Sequence, residues 1–325
     1  MEDIVISFGV LDPVKFLIVF GSAFIITFGS MPQFIKRLRR EKILVRDYYK
    51  KGRVMVPTMG GLPMLAGILA SLIFFQFIIK ATDKLLVYYL IVFTYAAFGL
   101  TDDLLNVGRR LKIFVPFILA LPIASLAVLD TSIDIGIFHY DLGPYFRYII
   151  APIYVMVVAN LINMHSGFNG LAPGLSVILF LTVGLKALIL SRRLDEISFI
   201  LPVIGVLFAF FYYNLPPSRI FFGNSGSLMI GSALGASLLL FNIEIFGIII
   251  LTPHIVNFLL YFYWVISGRK ITKWGRTRKD GTIRVPNRLT LKWIPPYYFK
   301  MKEAQCTYAM WGVTTFFCAL GLIFL

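Results

Sequence analysis

Asp102 and Asp103 stand side by side in FGLTDDLLNVGRRLK, at the end of a long apolar run, with Arg109, Arg110 and Lys112 within the next ten residues. Two adjacent carboxylates suit a divalent cation or a general base, and the cations that follow suit a phosphate with its counter-ions. A helix-ending polar cluster is the alternative, although a single Asp would serve for that. The second group is NLINMHSGFNGLAPG, where Asn160, Asn163 and Asn169 close another apolar run and enter a Gly-containing turn. An amide inside an apolar run is costly unless hydrogen-bonded, and Asn160 suits a bond between helices. Asn163 and Asn169 bracket the turn and suit a ligand: an amide oxygen is a hard ligand for magnesium, and an amide edge can pair with a pyrimidine. The third group is RIFFGNSGSLMIG, where Gly223, Gly226 and Ser227 would let backbone N–H groups approach a phosphate at a helix start. Phe221 and Phe222 just before it either pack or stack on a base.

The elements that must carry these groups are set by composition. The 325 residues are 58% hydrophobic and 14% charged, against about a quarter charged in soluble domains, which excludes a soluble enzyme, a secreted disulfide scaffold and a disordered tail. Cys306 and Cys318 would lie about 18 Å apart on a helix, too far to bridge. His139, His165 and His254 are scattered, without zinc-ligand spacing. The start, MEDIVISF, is acidic where a signal peptide is basic, so the first apolar run is expected to stay as a membrane helix. Ten apolar runs predict transmembrane helices near 14–31, 59–79, 85–101, 113–129, 146–163, 172–190, 197–213, 227–242, 245–266 and 304–325. The expected fold is therefore all-α and polytopic, with about ten transmembrane helices. Residues 1–325 form a single integral-membrane domain whose large loops lie near 32–58 and 267–303.

The net charge of +15 is unevenly placed: the loops at 32–58, 102–112, 164–171, 214–226 and 267–303 share one side and hold 24 of the 31 Lys and Arg. That bias puts those loops in the cytoplasm and both termini outside. Part of the charge serves topology and anionic lipid. Of sixteen acids, only Glu41, Asp47, Asp102, Asp103, Asp280 and Glu303 fall on this face, and only Asp102 and Asp103 are adjacent at a helix end. Ionisable groups at membrane depth are costly and mark function by default. All three polar groups lie on this one face.

Together with KKGRVMVPTMGG and the TPHIVNFLLYF stretch, in this order along the chain, the motifs TDDLLNVGRRLK, NLINMHSGFNGLA and FFGNSGSLMIG resemble the polyprenyl-phosphate N-acetylhexosamine-1-phosphate transferases. That family includes the bacterial phospho-MurNAc-pentapeptide translocase and the enzyme that begins dolichol-linked N-glycan assembly. The resemblance covers nearly the whole chain. NFLLYF and the GFNGL turn look most like the archaeal and eukaryotic GlcNAc-1-phosphate branch. The cell-wall branch usually carries Asp in that turn and a paired-His motif in its last large loop, and neither is present.

The resemblance implies transfer of GlcNAc-1-phosphate from UDP-GlcNAc to a polyprenyl phosphate, dolichyl phosphate in this branch, with release of UMP as lipid-linked glycan assembly begins. It implies Mg2+, with Mn2+ as the alternative ion. The implied partners are a UDP-sugar and a polyprenyl-phosphate lipid, with no nucleic acid, and a homodimer is left open. The implied location is an archaeal plasma membrane, with the active site on the cytoplasmic side.

By position, Asp102 resembles the acid that helps activate the lipid phosphate, Asp103 its supporting neighbour and Lys112 the lysine that grips phosphate. Asn163 matches a magnesium ligand, Asn169 a uracil contact and Phe221 an aromatic that stacks on uracil. Arg284 resembles a basic residue that approaches the sugar and pyrophosphate, with Arg288 the second candidate. Three departures accompany the resemblance. Asn224 stands where the family has an Asp magnesium ligand, Arg109 where near relatives have a tryptophan beside the N-acetyl group, and Thr58 where Glu is common. A catalytically impaired binder of nucleotide sugar or lipid phosphate is therefore one alternative. A lipid or solute transporter is the other, although a transporter places polar groups near the bilayer midplane and often shows repeats.

Overall fold

The computed structural model describes residues 12–78, 82–126, 129–135, 138–191, 194–272 and 274–325. The start MEDIVISF and the cations Lys80, Arg192, Arg193 and Lys273 lie outside the described residues. The chain runs α1 (Asp12–Arg40), β1 (Leu44–Asp47), β2 (Val54–Pro57), α2 (Gly61–Ile78), α3 (Asp83–Leu105), α4 (Leu111–Ala120), β3 (Ser132–Ile135), β4 (Phe138–Asp141), α5 (Gly143–Tyr145), α6 (Ala151–Met164) and α7 (Leu171–Ser191). It continues through α8 (Leu194–Ile197), α9 (Leu201–Asn214), α10 (Gly223–Leu240), α11 (Glu244–Ile250), α12 (Thr252–Ile266), β5 (Arg276–Thr277), β6 (Ile283–Arg284), α13 (Ile294–Tyr298) and α14 (Glu303–Phe324).

Among the described residues, and apart from the short α13, ten helical runs stand where ten apolar runs were expected, once α5–α6, α8–α9 and α11–α12 are each taken together. By length and composition, five are fit to cross a bilayer: Pro13–Arg40, Asp83–Leu105, Gly143–Met164, Leu171–Ser191 and Glu303–Phe324. A sixth is α11 with α12 as one broken span, bent by 66°; Pro253 lacks the N–H that would continue the ladder from α11 and opens α12 instead. Gly61–Gln76, Leu111–Ser125 and Ser198–Asn214 are apolar but shorter. Large apolar side chains stand exposed on the outside of the bundle, among them Leu17, Ile25, Phe114 and Ile323. Apolar surface this extensive suits hydrocarbon rather than water. The protein is mostly helical and multi-pass.

Two expectations change. The fold is not purely α: three antiparallel hairpins, β1–β2, β3–β4 and β5–β6, stiffen the connections. Helix α1 also continues to Arg40 instead of ending near 31. The KRLRR segment forms helix readily, and Arg37, Arg39 and Arg40 in its last turn complement the helix dipole.

Helix α10 is the axis of the bundle, buried from Ser225 to Leu240. Its Gly, Ala and Ser residues let α3 and α6 close on it; a Cβ at Gly231 would stand 2.6 Å from Ala159 Cα. A second, smaller apolar cluster, with Tyr49, Phe168, Trp264, Ile283 and Trp293, joins the first hairpin to the last large loop.

Candidate active site

Asp102 and Asp103 occupy the last turn of α3. The helix stops because Asn106 takes a left-handed conformation (φ 51°) and returns its N–H to the Asp102 carbonyl at 3.1 Å. Successive helical residues point about 100° apart, so the two acids face different neighbours. Asp102 is buried, and its Oδ1 accepts the Val107 N–H at 2.9 Å. Lys112 Nζ lies 2.7 Å from Asp102 Oδ2, at ion-pair distance, yet Oδ2 receives no directed hydrogen bond among the described residues. The contact is a close ion pair, with the buried carboxylate oxygen facing the Lys112 ammonium.

Asp103 reaches the start of α10. Its Oδ1 accepts the Asn224 N–H at 2.8 Å; its Oδ2 accepts the Ser225 N–H at 3.0 Å and the Ser225 hydroxyl at 2.9 Å. A carboxylate that takes two of the orphan donors of a helix start and meets the positive end of its dipole is a strong cap. The clamp fixes FGNSG against TDD across 121 residues of chain. Gly223 permits it with φ +72°, and a Cβ there would stand 2.6 Å from Asp103 Oδ2.

The VPTMGG turn completes the junction. Gly60 and Gly61 donate their N–H groups to the carbonyls of Phe221 and Phe222 at 2.9 and 3.2 Å, and Phe221 donates to the Pro57 carbonyl at 2.8 Å. A Cβ at Gly61 would meet Gly226 N at 2.4 Å, and one at Gly99 would meet the Asn224 carbonyl at 2.4 Å. These glycines position the site although none was among the expected site residues; the Gly-Gly pair after Pro57 was the signal. The two phenylalanines part company. Phe222 is buried and stacks on Phe210 (4.8 Å, 17°), whereas the Phe221 ring is only half-buried and remains open to a ligand.

Asn163, at the end of α6, joins the same helix start. The Ser227 hydroxyl lies 2.8 Å from Asn163 Oδ1 and 2.9 Å from the Gly223 carbonyl. One proton cannot serve both acceptors. With the amide turned over, Nδ2 donates to Ser227, Ser227 donates to Gly223, and Asn163 Oδ1 is released. The Asn224 side chain makes no hydrogen bond among the described residues.

The other expected residues lie apart. Asn169 is buried in an ionic network: its Nδ2 donates to Asp47 at 3.2 Å, its N–H to Glu303 at 2.8 Å, and Lys50 pairs with both acids. Arg109 is exposed and has no ion pair among the described residues. Arg284, on β6, is exposed, and Arg288 donates to the Tyr298 hydroxyl. The last loop is pinned below them by Lys292, which is buried, donates to the Ser166 carbonyl and lies 5.7 Å from the Phe168 ring centre. Burial lowers the Lys292 amine to about 8. Tyr49 accepts from Trp293 Nε1 at 3.1 Å, and burial raises its phenol to about 12. The histidines are not all scattered: His165 and His254 meet edge to face at 4.7 Å, both buried. Burial first, then His254 and Lys292, hold the His165 imidazole well below its ordinary value.

Residues 85–242, which contain Asp102, Asp103, Lys112, Asn163, Phe221 and Asn224, match the family model of glycosyl transferase family 4. Over those residues the chain is similar to glycosyl transferase family 4. A Sulfolobus acidocaldarius protein, provisionally named UDP-N-acetylglucosamine–dolichyl-phosphate N-acetylglucosaminephosphotransferase, is 28% identical over 315 residues, 93% of each chain. A Saccharolobus solfataricus protein with the same provisional name is 26% identical over 313 residues, 93% of this chain and 94% of its own. The phospho-N-acetylmuramoyl-pentapeptide-transferase of Wolbachia sp. subsp. Brugia malayi is 28% identical over 270 residues, 75% of this chain and 82% of its own.

The donor set at this junction bears on the implied magnesium. No cluster of three His, Cys, Asp or Glu suited to a metal exists among the described residues. Both Asp103 oxygens cap α10. What remains is the amide oxygens of Asn163 and Asn224 at the start of α10. Such a set fits a Mg2+ that keeps several waters and takes its balancing charge from substrate phosphates, rather than one caged by protein alone.

Proposed function

We propose that this protein transfers GlcNAc-1-phosphate from UDP-GlcNAc to a polyprenyl phosphate, dolichyl phosphate in its branch, and releases UMP. The observation that carries this reading is the α3–α10 junction, where Asp103, Asn163 and Asn224 meet at one helix start and the neighbouring Asp102 pairs with Lys112. The names of the full-length relatives support the substrates. The gathering of polar groups at helix ends, not midway along them, favours an enzyme over a transporter.

A phosphate oxygen of the lipid attacks the sugar-linked phosphorus; a P–O bond forms there and the bond to the UMP oxygen breaks. Asp102 Oδ2 accepts the proton of a singly protonated lipid phosphate, and Lys112 turns from Asp102 to the phosphates. Asp103 acts by holding Asn224 and α10 in register. The half-buried Phe221 ring stacks on uracil; Asn169, with Nδ2 held by Asp47, offers Oδ1 to the base. Arg284 and Arg288 approach the sugar and pyrophosphate from the last loop, and Arg109 borders the N-acetyl group. Held by Asn163 and Asn224, Mg2+ (or Mn2+) would neutralise the pyrophosphate. The charge bias of the loops supports a cytoplasmic site, and the archaeal relatives support an archaeal plasma membrane, with all ten helical runs embedded.

The test is UMP release by the purified protein with a panel of UDP-sugars against dolichyl and undecaprenyl phosphates. Turnover with UDP-GlcNAc that EDTA abolishes and Mg2+ restores is expected. Asn224, an amide where the family has a carboxylate, favours a second reading, an impaired enzyme that binds without turnover. Asn224→Asp separates the two: if neither form releases UMP with any pair, the transferase reading fails.

A further inference from the structure

At the other end of α10 from Asn224, about 27 Å along the helix axis, a cavity of about 380 Å³ opens between the start of α6, the end of α7 and the start of α11. The proposed reaction makes no use of it. Its walls are mainly apolar, and two of its lining residues, Leu190 and Ile248, are 56% and 48% exposed, so its mouth lies on the apolar outer surface of the bundle. The cavity therefore opens onto that apolar surface on one side and past the exposed Asp130 and Asn242 on the other.

Lys186 is engaged: it donates to the Leu325 carbonyl at 2.7 Å and lies 5.8 Å from the Phe246 ring centre. Tyr154 donates to the main-chain carbonyl of Glu244 at 3.0 Å, but Glu244 Oε1 is buried without a hydrogen-bond partner among the described residues. Asp130, a second acid, lines the same cavity. A buried acceptor facing a cavity of this size calls for a donor. We infer that this cavity binds a membrane lipid whose headgroup donates hydrogen bonds to Glu244 while its chain lies over Leu190 and Ile248.

The experiment titrates the full-length protein in detergent with phosphatidylethanolamine, phosphatidylglycerol and phosphatidylcholine of identical acyl chains, reading bound lipid by native mass spectrometry. Phosphatidylcholine shares the phosphate and a positive charge but lacks headgroup donors. The two donor-bearing lipids are expected to bind wild type roughly tenfold more tightly, as one charge-assisted hydrogen bond implies. In Glu244→Leu that preference disappears. In Ile248→Trp, a change at an exposed residue that blocks the mouth, the donor-bearing lipids weaken to the level of phosphatidylcholine. Equal binding of all three to wild type, or a preference that survives either substitution, overturns the inference. Binding is read without turnover, so the outcome is separate from that of the transferase assay.

Discussion

Adjacent acids in one motif invite the assumption that they share one task, and comparing Asp103→Asn with Asp102→Asn tests whether they do. In Asp103→Asn the amide oxygen can still accept the Asn224 N–H, now made at 2.8 Å, but its nitrogen meets the Ser225 N–H that lies 3.0 Å from Oδ2. The Ser225 hydroxyl can rotate to accept, so one exchange is neutral. The net loss is one charge-assisted bond to a buried N–H, plus the attraction of a full charge for the helix start. Together these are worth about 2–4 kcal/mol. Asp102→Asn keeps an oxygen for the Val107 N–H, and Lys112, whose side chain is 36% exposed, can turn to water. That loss is about 1 kcal/mol or less, whereas removing a general base lowers kcat about 10²–10⁴-fold. Thermal unfolding in detergent and UMP release, measured on both variants, should thus separate: Asp103→Asn loses several degrees of Tm with its activity, and Asp102→Asn loses activity at nearly unchanged Tm. Equal loss of Tm in both, or an Asp103→Asn protein as stable as wild type but inactive, would refute the division of roles.

Other outcomes follow from the same geometry. Gly61→Ala puts a methyl 2.4 Å from Gly226 N, a backbone atom that cannot swing away; a loss of about 1–3 kcal/mol in unfolding is expected, with a fall in kcat as the VPTMGG turn shifts. Phe222→Ala should lower stability by about 3–5 kcal/mol because it empties a buried stack, while Phe221→Ala should leave Tm nearly unchanged and raise KM for the nucleotide sugar about tenfold. Lys292 has a folded pKa of about 8 against 10.5 for a free side chain. The unfolded chain therefore binds more protons between these values, so this group makes stability rise with pH across that window and adds no slope below it. Relative to Lys292→Met, which cannot titrate, wild type should gain on the order of 3 kcal/mol from pH 8 to pH 10.5 in unfolding measurements; a flat difference contradicts a buried neutral amine.

Sequence alone was enough for the positions of the ten helical runs and for most of the residues at their ends. Apolar run length is a local property, and the runs at 83–105, 171–191 and 303–324 follow directly from it. The sites gathered at Asp102, Asn163 and Asn224 were legible because polar residues are scarce in such a chain. Where α1 stops was less legible, since KRLRR reads equally as loop charge and as a dipole-matched last turn. What each polar residue does was decided only by tertiary structure. Asp102 and Asp103 have the same chemistry and neighbouring positions; one is turned toward Lys112 and the other toward the start of α10 by the helical step between them. The choice of Phe221 over Phe222 as the open ring depends on Phe210, eleven residues earlier. The burial of Asn169 depends on Asp47 and Glu303, from opposite ends of the chain, and the meeting of His165 with His254 on how α12 packs against the end of α6. Each rests on contacts between segments that are far apart in sequence, and such contacts leave no periodicity or spacing to read.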